Sequence, residues 1–376
     1  MSADPTAFDF HALRRHPDIE APNLQAYDAT DRYLLETAAE RGLLEGTITV
    51  VGDRHGALTL GALAAGAQTV LVHQDSLTGS RALLANAARL GFDLTRIRQL
   101  PLNSELVAGS RLILLQLPRS LDALDEIAAV LASAPSDAVL LAGGRIKHMH
   151  PSMNDVLARS FGRIDVLHAR QKSRILAASQ PNPDAVSRWP RSRRHTVPGL
   201  GLELDLVAHA AAFGGAALDP GAVALLAHLP RMRQAAEVID LGCGSGVLSM
   251  AMAITRPEVR VLATDVSAAA AASARLTASA NGVADRVSVR QADGLEDVAA
   301  ASANLILLNP PFHIGAAVHT GIAERLISDA GRALAADGEL WCVWNSHLRY
   351  RPLLEHIGPT EQIGRDRTFT VTVTRR

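Results

Sequence analysis

The fold of this chain is decided by residues 237–246, EVIDLGCGSG, in which a mostly apolar run meets three closely spaced glycines. The run at 237–241 predicts a buried strand, and Gly242, Gly244 and Gly246 predict a tight turn into a helix. Such a turn lets the backbone approach a ligand closely, and α/β sheets bind ligands at the carboxyl ends of their strands. On its own the turn could equally serve a dinucleotide such as NAD, so neighbouring motifs must decide.

The pattern occurs twice in the chain. Residues 48–56, ITVVGDRHG, repeat the strand and the turn, and Gly56 aligns with Gly246 at a spacing of 190 residues (246 − 56). Asp75 and Asp265, each at the end of the next apolar run, show the same spacing. Strands that alternate with helical segments predict mostly parallel, doubly wound sheets. We therefore predict an α/β protein with two tandem Rossmann-like domains that arose by duplication.

The domain boundary is predicted from prolines. Four of them between residues 181 and 198 interrupt the periodic patterns, which predicts a linker at 181–198. This linker separates a first domain at 1–180 from a second at 199–376. In the second domain the alternating segment 368–374, TFTVTVT, predicts an antiparallel closing strand.

The two copies differ at the positions where ligands would bind. Arg54 stands in the first copy where the second has Gly244, and a side chain there would block a close backbone approach. Gln116 stands in the first copy where the second has Asn309. We therefore predict that the first copy is degenerate and that the second is active.

A second motif follows the apolar run 305–308, which predicts another buried strand and ends in Asn309, Pro310, Pro311 and Phe312. The two prolines stiffen the turn without adding N–H donors. Asn309 can offer its side-chain oxygen, and Pro310 its carbonyl, to an NH₂ group. Phe312 supplies a face on which a flat ring can stack. On its own the tetrapeptide could also be a simple strand terminator.

Three carboxylates accompany these motifs. Asp240 precedes the glycine turn, Asp265 ends the next strand, where it can accept hydrogen bonds from ribose hydroxyls, and Asp293 follows a third strand. With residues 309–312, this ordered set resembles the class I S-adenosylmethionine (SAM)-dependent methyltransferases. The resemblance implies that the three glycines of the turn line the methionine and ribose part of SAM. It also implies Asp240 near the amino acid portion, Asp265 on the ribose and Asp293 near the adenine amine.

The resemblance can be narrowed to one family. Residues 213–221, residues 309–313 and the degenerate first domain are similar to the RsmC/RlmG family of ribosomal RNA guanine-N2 methyltransferases over nearly the full length. Segment 23–31, NLQAYDATD, looks most like the RlmG branch, which modifies 23S rRNA, while the C-terminal motifs fit the 16S-directed branch equally. The resemblance implies methyl transfer from SAM to a guanine N2 amine in rRNA. Phe213 would shelter the sulfonium or, alternatively, fill the hydrophobic core.

The same resemblance implies roles at the substrate. Pro311 and His313 would contact the substrate, and His313 would touch phosphate or base. Two acceptors, the Asn309 side-chain oxygen and the Pro310 carbonyl, would bind the amine hydrogens. Phe312 would stack on a base taken out of its surroundings, a contact worth about 1–3 kcal/mol.

Other functions share parts of this pattern. Adenine-N6 methylation of nucleic acid and methylation of a glutamine amide in a protein use the same motif, because all three acceptors are planar NH₂ groups. A NAD enzyme leaves residues 309–312 unexplained. A SAM- or RNA-binding ribosome assembly factor without activity is disfavoured, because Asn309, Asp265 and the three turn glycines are intact.

Composition limits the remaining classes. The formal net charge of −1 is uninformative, and two cysteines, Cys243 and Cys342, give neither a disulfide framework nor a metal cluster. No apolar stretch is long enough for a bilayer span and the N-terminus lacks a signal pattern, so we expect a cytoplasmic protein without membrane contact. We also expect a monomer without a bound metal. Basic clusters at 163–174 and 188–194 can contact phosphates. The first domain is therefore predicted to position RNA.

Overall fold

The computed structural model describes residues 8–311 and 316–376, with only the backbone described for 316–320. The chain divides into two compact units, Met1–Arg188 and Trp189–Arg376. Each unit carries one seven-stranded sheet, so the predicted pair of Rossmann-like α/β domains is confirmed. Among the described residues, no helix is both long and apolar enough to cross a bilayer.

The sheet of the first unit has the strand order β3-β2-β1-β4-β5-β7-β6. Its first five strands are parallel, and β7 runs antiparallel to both β5 and β6. The strands are β1 Thr47–Val51, β2 Thr69–His73, β3 Ile97–Gln99, β4 Leu112–Gln116, β5 Val139–Arg145, β6 Phe161–Val166 and β7 Ser173–Pro181. The α-helices are α1 Ala29–Glu40, α2 Ala57–Ala64, α3 Leu77–Arg89, α4 Leu121–Leu131 and α5 Ser152–Leu157.

The main sheet of the second unit repeats this topology in the order β12-β11-β10-β13-β14-β16-β15. A two-stranded hairpin precedes it, and the predicted closing strand is β16, antiparallel to β14. The strands are β8 Arg191–Val197, β9 Leu202–Ala208, β10 Glu237–Leu241, β11 Arg260–Asp265, β12 Val287–Gln291, β13 Ala303–Leu308, β14 Leu334–Asn345, β15 Thr360–Arg365 and β16 Phe369–Arg375. The α-helices are α6 Pro220–Leu226, α7 Val247–Thr255, α8 Ala268–Ala280, α9 Ala316–Ala333 and α10 Arg351–Glu355.

The central strands are apolar on both sides because helices cover both faces of each sheet. Leu305 and Leu307 of β13 belong to one hydrophobic cluster, whereas Ile306 and Leu308 belong to another. Side chains alternate across a strand, so these two clusters lie on opposite faces. Burial on both faces is what near-continuous apolar runs indicate in parallel sheets.

The segment predicted as a linker, 181–198, is partly a strand. Residues 191–197 form β8, which pairs with β9 along its whole length, from Arg191 opposite Ala208 to Val197 opposite Leu202. Pro190 and Pro198 therefore flank a strand instead of interrupting one. Residue preferences do not predict β8 as a strand, because strands are enriched in β-branched and aromatic residues and β8 is rich in arginine.

The other edge of β9 is bound by side chains of α8 and of Asn281, the residue that follows this helix. Backbone N–H groups of alternate residues in a strand point the same way, and residues four apart on a helix lie on one face. The donor–acceptor pairs match these two spacings: the N–H groups of Asp205, Val207 and His209 donate to Asn281 Oδ1, Thr277 Oγ1 and Ser273 Oγ, respectively. This contact fixes the hairpin on the second domain just before the loop that leads to α6.

Candidate functional site

The glycine turn lies between β10 and α7, at the carboxyl edge of the second sheet. Gly242, Gly244 and Gly246 have φ values of +76°, +54° and +90°, which favour glycine. A β-carbon on Gly242 or Gly244 would meet no other atom within 4 Å, so open space lies beside the backbone there. At Gly246 a β-carbon would stand 3.1 Å from Met250 Cε, so this glycine serves helix packing. Only the first two glycines therefore border a possible ligand space.

Asp240 lies beneath the turn and anchors the start of α7. Its carboxylate is 1% exposed and its Oδ2 accepts hydrogen bonds from the backbone N–H of Ser249 at 2.9 Å and from its hydroxyl at 2.6 Å. Burial raises the pKa of Asp240 to about 6; the Ser249 bonds oppose this rise, and the nearby charge of Asp265 adds to it. Asp240 therefore holds the turn in place, and its contact with a cofactor stays a prediction.

Asp265 ends β11 and is joined directly to the turn. Its Oδ2 accepts a hydrogen bond from the Gly244 N–H at 2.9 Å, and its Oδ1 accepts one from the Ser267 N–H at 2.9 Å. The side chain is half-buried at the edge of the sheet. The structure thus brings together Asp265 and Gly244, two of the residues predicted to hold the cofactor.

Asp293 has a partner that the sequence does not indicate. Arg325 of α9 forms an ion pair with it, at 2.6 Å between Arg325 Nη2 and Asp293 Oδ1. The Asp293 side chain is 15% exposed. Its predicted contact with an adenine amine stays a prediction. In such a contact the Asp293 carboxylate would bind the adenine amine and Arg325 at the same time.

Asn309 follows β13 and faces the beginning of α6. Its Nδ2 donates to Asp219 Oδ1 at 2.7 Å, and the same oxygen accepts a hydrogen bond from the Ala222 N–H at 2.8 Å, which caps the helix. Asn309 Oδ1 is buried and accepts no hydrogen bond from any described residue. A carboxylate can only accept hydrogen bonds, so the nitrogen must face Asp219. The side-chain orientation of Asn309 is therefore determined by its neighbour.

The remaining predicted residues divide into described and undescribed ones. Pro310 is buried and Pro311 is half-buried behind Asn309. Phe213, in the loop between β9 and α6, is 55% exposed. Phe312 and His313 lie outside the described residues, so their stacking and phosphate roles stay predictions.

Strand order places the turn and Asn309 side by side. β10 pairs in parallel with β13, and Leu241, the last residue before the turn, lies opposite Leu308, the last residue before Asn309. Parallel strands meet at one edge of the sheet, and that edge is where α/β proteins bind ligands. A cofactor beside the turn would therefore lie next to the group predicted to hold the acceptor amine.

At the corresponding edge of the first unit, the polar side chains are hydrogen-bonded to groups of the unit itself. Asp53, at the position of Cys243, accepts hydrogen bonds from the N–H groups of Gly56 at 3.0 Å and Thr59 at 2.7 Å. Gln116, at the position of Asn309, donates to Asp31 at 2.5 Å. Groups that already satisfy each other have less to offer a ligand.

Charge adds to this difference. A cavity of about 200 Å³ at this edge is lined by Asp28, Asp31 and Asp53 among others. Burial raises the pKa of Asp31 to about 7, and the charges of Asp28 and Asp53 raise it further. Arg54 also lines the cavity, where the second copy has Gly244. The degenerate character predicted for the first copy thus has a physical basis.

Comparisons with known proteins match both units. The family model described as Methyltransferase small domain matches residues 203–373, and the one described as RLMG N-terminal domain matches residues 1–183. A protein of Streptomyces avermitilis named Ribosomal RNA large subunit methyltransferase G is 37% identical, with 97% of each chain covered. One of Pseudomonas aeruginosa with the same name is 36% identical, with 96% of each chain covered.

A solved structure has the same fold over the whole chain. It is a Thermus thermophilus 16S rRNA N2 G1207 methyltransferase in complex with AdoMet and guanosine. The TM-score is 0.76 at 21% identity, and 98% of each chain is covered. At this identity the likeness establishes the two-domain fold.

Proposed function

Because this chain belongs to the ribosomal RNA large subunit methyltransferase G family, we propose that it methylates the exocyclic N2 amine of a guanine in 23S ribosomal RNA. The observation that carries the proposal is the pairing of β10 with β13. It sets the open glycine turn beside Asn309, so that a methyl donor and an amine acceptor can meet at one sheet edge. With ribosomal RNA as its substrate, we also propose that the protein acts in the cytoplasm.

The residues at the turn fit SAM. Gly242 and Gly244 leave room for close contact of their backbone with the cofactor, and Asp265 is held beside them to accept hydrogen bonds from ribose hydroxyls. When bound, SAM supplies an electrophilic methyl group on a sulfonium. Because Asp240 and Asp265 are both acidic, the turn also suits a ligand that carries positive charge.

Asn309 and Pro310 bind the acceptor amine in this proposal. The lone pair of a guanine N2 amine is delocalised into the ring, which makes the amine a weak nucleophile. Two acceptors on its hydrogens, Asn309 Oδ1 and the Pro310 carbonyl, favour a pyramidal nitrogen with an exposed lone pair. Asn309 Oδ1 is buried, so the amine reaches it only after a local rearrangement. Correct positioning of the reacting groups can supply several kcal/mol of the barrier.

Ion pairs among the described residues favour some basic side chains over others as contacts for RNA. Several predicted phosphate contacts are already paired with carboxylates: Arg163 with Asp165, and Arg170 with Glu40. Arg194 is likewise paired, with Asp205. Lys172, Arg174, Arg188 and Arg193 are exposed and have no acidic partner among the described side chains. These four residues are the stronger candidates for phosphate contact.

A transfer assay tests the proposal. Tritium from labelled SAM is offered to protein-free 23S rRNA, protein-free 16S rRNA and ribosomal proteins, and the products are digested to nucleosides. We expect label in N2-methylguanosine from 23S rRNA. Label in 16S rRNA alone would show that the substrate is the RNA of the small subunit. Label in N6-methyladenosine would show that the acceptor is the N6 amine of adenine. Label in protein alone would overturn the proposal.

A matched variant ties the activity to this site. Asn309→Ala removes the acceptor oxygen, and we expect methyl transfer to fall roughly 100-fold or more, because small errors in positioning are costly. Calorimetric titration should show unchanged SAM affinity. Transfer near the wild-type rate with SAM still bound would exclude Asn309 as the group that orients the amine.

A further inference from the structure

Asp219 contacts Asn309 although the two residues are far apart in sequence. One carboxylate oxygen, Asp219 Oδ1, receives both the Ala222 N–H at 2.8 Å and Asn309 Nδ2 at 2.7 Å. The first bond is an ordinary helix cap, which many residue types could provide. The second bond needs an acceptor at one particular place beside the end of β13. Asp219 therefore does more than begin α6.

We propose that Asp219 is a positioning residue that keeps the Asn309 carboxamide in the one orientation able to accept hydrogens from the target amine. This inference rests on the proposed function. With its nitrogen on Asp219, the carboxamide keeps Oδ1 without a donor among the described residues, so this oxygen can accept from the amine once a local rearrangement uncovers it. A flipped carboxamide would turn its oxygen to the carboxylate, where no proton is available, and would offer the amine an NH₂ group, which cannot accept.

The unsatisfied oxygen supports this reading. Buried polar groups nearly always have a partner, and an acceptor left without one is costly. Asn309 would relieve that cost by rotating toward any donor, unless its nitrogen were held. The bond to Asp219 is assisted by the carboxylate charge and is of the stronger kind. Asn309 Oδ1 thus remains a hydrogen-bond acceptor without a donor among the described residues, at the edge of the sheet next to the glycine turn.

Two variants separate this role from helix capping. Asp219→Asn keeps an oxygen at the position of Oδ1 and remains a good cap, so it can hold both Ala222 N–H and Asn309 Nδ2. Asp219→Ser also caps a helix, but its hydroxyl is one bond shorter and leaves Asn309 Nδ2 without an acceptor. Both variants should therefore still fold, with melting temperatures lowered by no more than about 10 °C because a lost hydrogen bond costs about 1–3 kcal/mol, and should bind S-adenosylhomocysteine with wild-type affinity.

Steady-state kinetics of the full-length chain on 23S rRNA give the main test. For Asp219→Asn we expect kcat within about tenfold of wild type and an unchanged pH profile, because only the charge of the acceptor is lost. For Asp219→Ser we expect a kcat roughly tenfold to hundredfold below that of Asp219→Asn, with the KM for RNA unchanged. Wild-type kcat in Asp219→Ser would overturn the proposal. An equal loss in both variants would also overturn it, because the charge itself would then be required.

A measurement that does not depend on turnover can test the positioning role of Asp219 independently of the proposed function. The side-chain NH₂ resonances of Asn309 can be assigned by their loss in Asn309→Ala. Hydrogen exchange of these protons should be slow in wild type and Asp219→Asn and fast in Asp219→Ser; equal exchange in all three would overturn the proposal. If Asn309→Ala methylates RNA at the wild-type rate, the proposed function fails at this residue. If Asn309→Ala is inactive but Asp219→Ser is fully active, only the positioning role fails.

Discussion

Gly221 in α6 lies so close to Asn309 that a β-carbon on Gly221 would stand 2.9 Å from Asn309 Oδ1. The same β-carbon would stand 3.0 Å from Asp219 Oδ1. Real β-carbons essentially never approach other atoms this closely, so one of the two short side chains would have to move. A glycine at this position therefore leaves the space in which the carboxamide is held.

Gly221→Ala tests that relationship. Alanine favours a helix over glycine by about 0.5–1 kcal/mol, so α6 itself gains from the change. The methyl group nevertheless pushes the Asn309 side chain, and we expect kcat to fall roughly tenfold or more, since displacement of a positioned group is costly. The affinity for SAM should not change. A variant with wild-type kcat would show that the close approach has no role in catalysis.

The first copy is predicted to bind no SAM. Calorimetric titration of the full chain should give one SAM per chain, because Asp53 is bonded to the Gly56 and Thr59 N–H groups and Gln116 to Asp31, where the second copy has an open turn. Two sites of comparable affinity would contradict this prediction.

Two glycine variants assign the single site to the second copy. Gly244→Arg recreates the residue found at position 54 and should abolish binding. Gly282→Arg is the control, because Gly282 also has a positive φ, +66°, and open space around it, but it follows α8 and is not in the turn. It should bind SAM normally. Loss of binding in both variants would point to backbone strain as the cause.

Local sequence patterns predicted much of this arrangement. The glycine turn, the strand before it and Asp265 lie within about thirty residues of each other, and periodicity with glycine spacing is a local signal. The contacts that complete the site are not local. Asp219 meets Asn309 across 90 residues, and an aspartate at the start of a helix is ordinarily just a cap.

Two other features escaped sequence analysis for similar reasons. Arg325 reaches Asp293 from the middle of a helix whose sequence shows no motif. β8 is rich in arginine. Its partner β9 pairs with β8 on one edge, and on the other edge its N–H groups bond to side chains of α8 and Asn281 instead of to a strand. Pairing that depends on the three-dimensional neighbour leaves no pattern in the strand itself.

Asp240 should make the stability of the second unit depend on pH. Its folded pKa, about 6, lies above the usual value of 3.8, because burial penalises the charged form. Below about pH 4 both states are protonated; as the pH rises, the unfolded state ionises first, and stability is lost progressively until the pH passes 6. The loss should be on the order of 2–3 kcal/mol. Asp240→Asn should lack it.

Tryptophan fluorescence can measure this loss selectively. All three tryptophans of the chain, Trp189, Trp341 and Trp344, lie in the second unit. Urea unfolding of wild type and Asp240→Asn between pH 4 and 7 gives the difference in unfolding free energy at each pH. Groups common to both proteins cancel in that difference. A difference that does not change with pH would show that Asp240 ionises normally in the folded chain.

Arg193 should contribute to RNA binding more than its neighbour Arg194. The two residues are adjacent on β8 and exposed, but Arg194 is held by Asp205 through hydrogen bonds of 2.9 and 2.6 Å, whereas Arg193 has no acidic partner among the described side chains. A guanidinium already neutralised by a carboxylate releases fewer counterions when it meets a phosphate. Arg193→Ala should therefore weaken RNA binding and reduce the slope of log K against log salt by about 1.

Arg194→Ala, which removes the same charge from the same strand, should leave that slope nearly unchanged. Equal effects of both variants would indicate that only the overall charge of the hairpin matters, and no effect of either would place the RNA away from β8.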